Sequence, residues 1–147
     1  FKLYNDANGH QAGDDCLQKV AEAFAQTIKR PTDLVARFGG EEFAIILGGT
    51  DAAGALTIAE QAVANVRSLG ITHRQSDNSE FLTVSIGVAT LFAKLEMSEA
   101  DLIKAADQSL YQAKENGRDR IYVYDHFARG PINANVLAQE HFDINLS

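Results

Sequence analysis

The sequence predicts an α+β fold, with a mostly antiparallel central sheet flanked by helices, and three observations lead there. Apolar residues recur at helical spacing in three separate stretches. Shorter β-rich runs lie between and after them, and two of these are joined by Gly39-Gly40. The resulting order is loop, α, β, β, α, β, α, β. With one strand ahead of Phe1 it becomes βαββαβ followed by a helix and a strand, a pattern in which helices pack on an antiparallel sheet. The 147 residues suffice for one domain with one core.

Residues 4–13, YNDANGHQAG, are rich in Asn, Asp and Gly and read as a loop. Asp14 or Asp15 then caps a helix whose apolar face is Leu17, Val20, Ala21, Phe24 and Ile28. Lys29 and Arg30 fall in its last turn, where cations suit the helix dipole, and Pro31 stops it. Residues 33–38 alternate, Gly39-Gly40 turns the chain, and 41–47 hold the apolar run of a second strand, which together predict a hairpin. Residues 51–68 form a second helix with Ala55, Ala59, Ala62, Val63 and Val66 on one face. After a polar loop at 69–80, residues 81–90 read as a strand pointing Leu82, Val84, Ile86 and Val88 one way. A third helix opens at Ser98, with Asp101 completing a weak capping box, buries Ile103, Ala106, Leu110 and Ala113, and closes at Asn116-Gly117. Residues 121–124 make a short strand. From His126 to Ser147 no strong period is visible. The expected division is a domain over 1–125 and a tail over 126–147.

Composition narrows the function classes. The apolar fraction is 46% and the charged fraction 22%, ordinary for a globular domain. No apolar run approaches the ~20 residues of a membrane span, and no signal peptide is visible. Cys16 is the single cysteine, which excludes an internal disulfide framework and a cysteine-built zinc site and suits a cytoplasmic setting. A net charge of −7 argues against nucleic acid as a partner. A phosphate-rich ligand would need metal ions and local donors. The chain opens on Phe1-Lys2-Leu3, which reads as the end of an apolar segment, so the sequence is expected to be a fragment.

The hairpin tip, Arg37-Phe38-Gly39-Gly40-Glu41-Glu42-Phe43, carries two carboxylates after a tight turn. They are either solvated surface charges or oxygen ligands for hard cations. Asn5 and Asp14 taken alone read as a loop residue and a helix cap. Lys114 and Arg118, four apart at a helix end, taken alone read as partners of the helix dipole. His10 is a loop-packing residue, having no Cys or His nearby to share a metal. Cys16, beside a buried stripe, is an inert thiol.

Four segments in order decide between these readings. FKLYNDANGHQAGD at 1–14, ARFGGEEF at 36–43, VSIGVA at 84–89 and AADQSLYQAKENGRDR at 105–120 resemble the GGDEF-domain family, the diguanylate cyclases that make cyclic di-GMP from GTP. The resemblance covers roughly residues 1–124, and the third signature position is Glu41 rather than Asp, a variant seen in active members. It implies a βαββαβ fold similar to the polymerase palm and the nucleotidyl cyclase core. It further implies that Glu41 and Glu42 are catalytic and bind Mg²⁺ or Mn²⁺, two ions per active site, next to the signature turn of Gly39 and Gly40. Asn5 and Asp14 would read guanine. Phe1, Lys2, Lys114 and Arg118 would hold the triphosphate, with Arg37 a further phosphate-side candidate. Arg30 and Asp33, an R-x-x-D placed six residues ahead of Gly39, match an inhibitory site for the product. The family's first metal ligand is an aspartate in a D-x-D-x-F-K string, and here the string begins at its Phe. The first strand is therefore expected to be missing from this chain. The implied activity is synthesis of cyclic di-GMP from two GTP with loss of pyrophosphate, by a homodimer under product feedback and an upstream sensory domain. The alternative is an inactive module of the same fold that binds GTP or cyclic di-GMP.

Overall fold

The computed structural model describes residues 1–74, 76, 79–91 and 96–136. The chain forms two compact units, one of Phe1–Thr50 with Glu60–Thr83, the other of Asp51–Ala59 with the chain from Val84 onward. The elements are helical and β in the mixture expected of an α+β fold. Among the described residues the strands fall into two sheets, one of two strands and one of three, and antiparallel pairing predominates over parallel.

The first unit opens on two consecutive helices, α1 (Lys2–Asn8) and α2 (His10–Thr27), where a loop was expected. Tyr4 is buried and supplies the apolar anchor that the local composition lacks. Gly9, at φ 84, separates the helices and caps the second, so Asp14 and Asp15 lie inside α2 rather than at its cap. Gly is the residue that reaches this φ without strain. The buried residues of α2 are Gly13, Cys16, Val20, Ala23, Phe24 and Thr27. The stripe is rotated from the expected one, with Leu17, Ala21 and Ile28 at its half-buried margin. The helix also ends earlier, at Thr27. Ile28 is already extended, so Lys29 and Arg30 lie beyond the last turn. Arg30 precedes Pro31, whose ring disfavours helical backbone at the residue before it.

The hairpin is as expected, with β1 (Leu34–Gly39) antiparallel to β2 (Glu42–Ile46). Phe43 on its inner face meets Phe24 of α2 edge to face, the ring centroids 5.4 Å apart. The turn is displaced by one residue. Gly39 pairs with Glu42, so Gly40 and Glu41 form the loop instead of Gly39 and Gly40, because Phe38 is an extra residue in the ladder. All five predicted core positions of α3 (Ala52–Ser68) are buried. Asp51 Oδ1 accepts the Gly54 N–H at 2.8 Å and so caps the helix start. Asn65 donates to Thr27 Oγ1 at 2.9 Å, tying α3 to the end of α2.

In the second unit, β3 (Ile86–Val88) is parallel to β4 (Ile121–Asp125), which is antiparallel to β5 (Gly130–Asn133). The strand expected over 81–90 is thus only three residues long. Earlier in that stretch the backbone is engaged elsewhere, Phe81 bridging Thr72 and Leu82 donating to Ile71 O. The helix α4 (Glu99–Glu115) starts on a full capping box, Ser98 with Asp101, as read from the sequence. It ends on a Schellman motif: Arg118 N–H reaches Ala113 O at 2.9 Å and Gly117 N–H reaches Lys114 O at 3.4 Å, with Gly117 at φ 107. Its buried stripe is Ala105, Ser109 and Ala113. Ile103, about 120° round the helix from the centre of that stripe, is exposed rather than buried, and Ala106 and Leu110 are half-buried. Gly87 of β3 lies against α4 so closely that a Cβ would overlap Ala106 O and Leu110 N. The strand β5 occupies part of the stretch in which no period was visible. Residues 137–147 of the expected tail lie outside the described residues.

Candidate functional site

The signature turn projects from the first unit. Glu41 and Glu42 are both exposed at the hairpin tip, and the tip is braced from within. Arg37 donates through Nε to Gly40 O at 2.8 Å. The sequence offered Arg37 as a phosphate-side residue; in the structure its Nε is committed to the turn.

Asn5 and Asp14 are brought to one corner by the packing of α1 on α2. Asn5 Oδ1 is buried, accepts no hydrogen bond, and lies where a side chain at position 13 would stand. Gly13 therefore permits the contact, and Asp14, the next residue, is exposed beside it. Asp14 lines a shallow concavity of about 490 Å³ with Leu17, Gln18, Val35, Arg37 and Phe43. Phe1 stacks on Tyr4, the ring centroids 5.4 Å apart, and Lys2 is exposed.

Behind this corner Tyr4, Cys16 and His73 form a buried cluster that sequence patterns did not reveal. Burial pushes the Tyr4 hydroxyl up, and the neighbouring Cys16 adds to the effect. Burial likewise raises the Cys16 thiol against the opposing bond to Tyr4, so this cysteine carries little thiolate. His73 meets the Tyr4 ring edge-on at 5.5 Å, and burial lowers its pKa.

Arg30 and Asp33 are joined directly, Nε to Oδ2 at 3.2 Å. Asp33 Oδ1 also accepts from Gly48 N at 3.2 Å and from Thr32 Oγ1 at 3.4 Å, and Arg30 Nη2 bonds Thr50 Oγ1. The pair thus ties the α2–β1 connection to the chain just after β2. Gly48 and Thr50, which close this network, read in the sequence only as the end of the second strand.

Lys114 and Arg118 belong to the second unit, at the C-terminal turn and Schellman cap of α4. Lys114 is half-buried, and Arg118 is exposed with φ 58. His10 is exposed, not packed, at the first position of α2.

Glu41 and Glu42 supply oxygen donors of the kind hard divalent cations take. Among the described residues no group of three or more His, Cys, Asp or Glu side chains could hold a metal ion. The donor chemistry fits the expected cations, and the remaining ligands would have to come from substrate, water or other residues.

With this geometry in hand, likeness to known proteins is informative. Residues 1–120 match the family described as diguanylate cyclase, GGDEF domain, and the chain belongs to that family. It is 38% identical over 122 residues to diguanylate cyclase A of Treponema denticola, covering 82% of this chain and 32% of that protein. It is 36% identical over 138 residues to the probable diguanylate cyclase DgcT of Escherichia coli, covering 89% and 29%. It is 39% identical over 121 residues to the response regulator PleD of Caulobacter vibrioides, covering 82% and 26%. The chain therefore spans only about a third or less of the length of these curated relatives. Among solved structures it superposes on the GGDEF domain of DgcB from Caulobacter crescentus in complex with c-di-GMP, with a TM-score of 0.71 and 33% identity over 83% of this chain and 70% of that one. The GGDEF domain of PA1120 (YfiN or TpbB) from Pseudomonas aeruginosa gives 0.68 and 35% over 83% and 74%. Among the described residues no helix is long and apolar enough to cross a membrane.

Proposed function

We propose that this chain is the catalytic domain of a diguanylate cyclase that joins two GTP into cyclic di-GMP. The observation that carries the reading is the exposed, braced Gly39-Gly40-Glu41-Glu42 hairpin in a chain of the GGDEF family. In each half-reaction the 3′-oxygen of one GTP attacks the α-phosphorus of the other and pyrophosphate leaves. Glu41 and Glu42 would hold the divalent cations, Mg²⁺ or Mn²⁺, two per active site. Such ions, when bound, supply charge stabilisation at the attacking and leaving oxygens.

The other roles fall to this chain's own residues. Asp14 accepts from guanine N1–H and N2–H₂, and Asn5 completes the base contact from the same corner. Lys114 and Arg118 meet the triphosphate as cations, with Phe1 and Lys2 on the same phosphates. Two domains must face each other about a two-fold axis, because each contributes one GTP and one attacking oxygen. The protein therefore acts as a homodimer, in the cytoplasm, under a sensory domain preceding this one. Residues 1–125 form the cyclase domain, and 126–147 follow it as a C-terminal segment whose beginning supplies β5. Product returning to Arg30 and Asp33 inhibits synthesis.

The test is Glu42→Gln in the full-length protein, assayed with GTP and Mg²⁺. An amide is a much poorer ligand for a hard cation than a carboxylate. The variant is expected to lose synthesis by about a hundredfold or more, the scale on which one lost electrostatic group acts, with an unchanged circular dichroism spectrum. Near-normal turnover would remove Glu42 from the mechanism. Binding of GTP or cyclic di-GMP by the unmodified protein without turnover would make the chain a receptor instead.

A further inference from the structure

The two strands of the signature hairpin are one residue out of step near the tip. Arg37 faces Phe43 and Gly39 faces Glu42, leaving Phe38 as the extra residue of a bulge, 73% exposed. A bulge bends its strand and re-aims the neighbouring side chains. Here Arg37 folds back along the turn, and its Nε donates to Gly40 O at 2.8 Å. Gly40 is at φ 54, a left-handed value that glycine takes up readily, and Glu41 is not among the residues of positive φ. The peptide plane pinned at its carbonyl end by Arg37 carries the Cα of Glu41 at its other end.

The geometry points to Arg37 as a positioning residue that fixes the Gly40–Glu41 peptide and thereby the direction in which the Glu41 and Glu42 carboxylates are presented. The inference rests on the reading of those glutamates as the cation-binding pair. It assigns Arg37 a task done by a hydrogen-bond donor, whereas the sequence suggested a task done by a positive charge. An exposed two-residue loop released from this bond samples other peptide orientations. Displacements of about 1 Å at a reacting centre cost on the order of a hundredfold in rate, so a loosened turn lowers turnover without changing the contacts that bind GTP.

The two tasks separate cleanly by substitution. Glutamine carries an amide nitrogen on Cδ, where arginine carries Nε, and has no charge. Lysine keeps the charge, one atom farther out, and has no donor at that point. In the full-length protein, Arg37→Ala is expected to lower kcat by roughly tenfold or more with KM for GTP within about threefold. Arg37→Gln should recover most of kcat, and Arg37→Lys should not. A second readout needs no turnover: hydrogen–deuterium exchange at the hairpin tip, followed by mass spectrometry, should be faster in Arg37→Ala and Arg37→Lys than in the unmodified protein and Arg37→Gln. Recovery by lysine and not by glutamine would make Arg37 a charge contact to substrate and overturn the proposal, as would an unchanged kcat in Arg37→Ala. If the unmodified protein makes no cyclic di-GMP, the cyclase reading fails by itself. The exchange experiment still decides the brace, and equal exchange in Arg37→Ala and the unmodified protein refutes it.

Discussion

Replacing Asp33 in two ways tests whether the R-x-x-D segment is held together by charge or by hydrogen bonds. The Asp33 side chain is 2% exposed, whereas that of Arg30 is 49% exposed. The ion pair therefore has one foot in water, and such pairs contribute about 0–1 kcal/mol. The bond from Gly48 N–H to Asp33 Oδ1 is part-buried. Removing its acceptor strands a part-buried donor, at a cost of up to about 1–3 kcal/mol. Asp33→Asn keeps an oxygen for Gly48 and loses only the charge, so it should cost less than about 1 kcal/mol. Asp33→Ala loses the ion pair and the acceptor together and should cost about 2–3 kcal/mol. Urea unfolding followed by circular dichroism measures both. With m of about 1–3 kcal/mol/M, the alanine midpoint should fall by about 1 M and the asparagine midpoint by less than half of that. Equal shifts in the two variants would show that the charge carries the effect, and no shift in either would show that the network holds nothing. The result bears on function, because a ligand arriving at this segment meets the exposed flank of Arg30 while the Asp33 carboxylate is already enclosed.

Two further outcomes follow from packing and titration. Gly87→Ala places a Cβ against Ala106 O, Leu110 N and Leu110 Cα, all backbone atoms that no rotamer change can move away; a loss of about 1–3 kcal/mol in urea unfolding is expected, and an unchanged midpoint would mean that β3 and α4 are farther apart than described. Burial lowers the His73 pKa below its ordinary value of 6.5, so as pH falls through about 6.5 the unfolded chain takes up the proton first, and stability should drop from its level at neutral pH. His73→Gln should flatten that dependence between about pH 7 and 5, and an identical slope in both proteins would assign the acid sensitivity to other groups.

Several elements were legible because their signals are local. Ser98 and Asp101 start a helix by satisfying amide donors within one turn, and Asn116-Gly117 stops it where glycine takes up a left-handed backbone. The face of α3 was read residue for residue. The motif that named the family likewise lay in short contiguous strings. Other elements were not legible. In α1, Asn and Asp are weak helix formers, and the helix depends on the buried Tyr4 and on its packing against α2. The strand β5 has no alternating pattern and contains Pro131, which lacks an N–H. It is an edge strand, where that loss is tolerated, and exists because β4 offers it a register. Ile103 was misplaced because the four apolar residues at helical spacing in α4 leave the centre of the buried stripe undetermined to within about a quarter of a turn.

Sequence by itself determined the α+β class, the hairpin, the starts and stops of α3 and α4, and the strings by which the family is known. These follow from side-chain chemistry acting within a few residues along the chain. The tertiary structure decided how those residues are held. Gly13 admits Asn5, Arg37 grips Gly40, and Gly48 and Thr50 close the network of Arg30 and Asp33. Most of these partners are separated in sequence by up to twenty residues, or joined only because a bulge shifts the ladder by one position. Such hydrogen bonds and close approaches depend on where packed helices and paired strands bring the backbone, a property of the folded chain that no local pattern encodes.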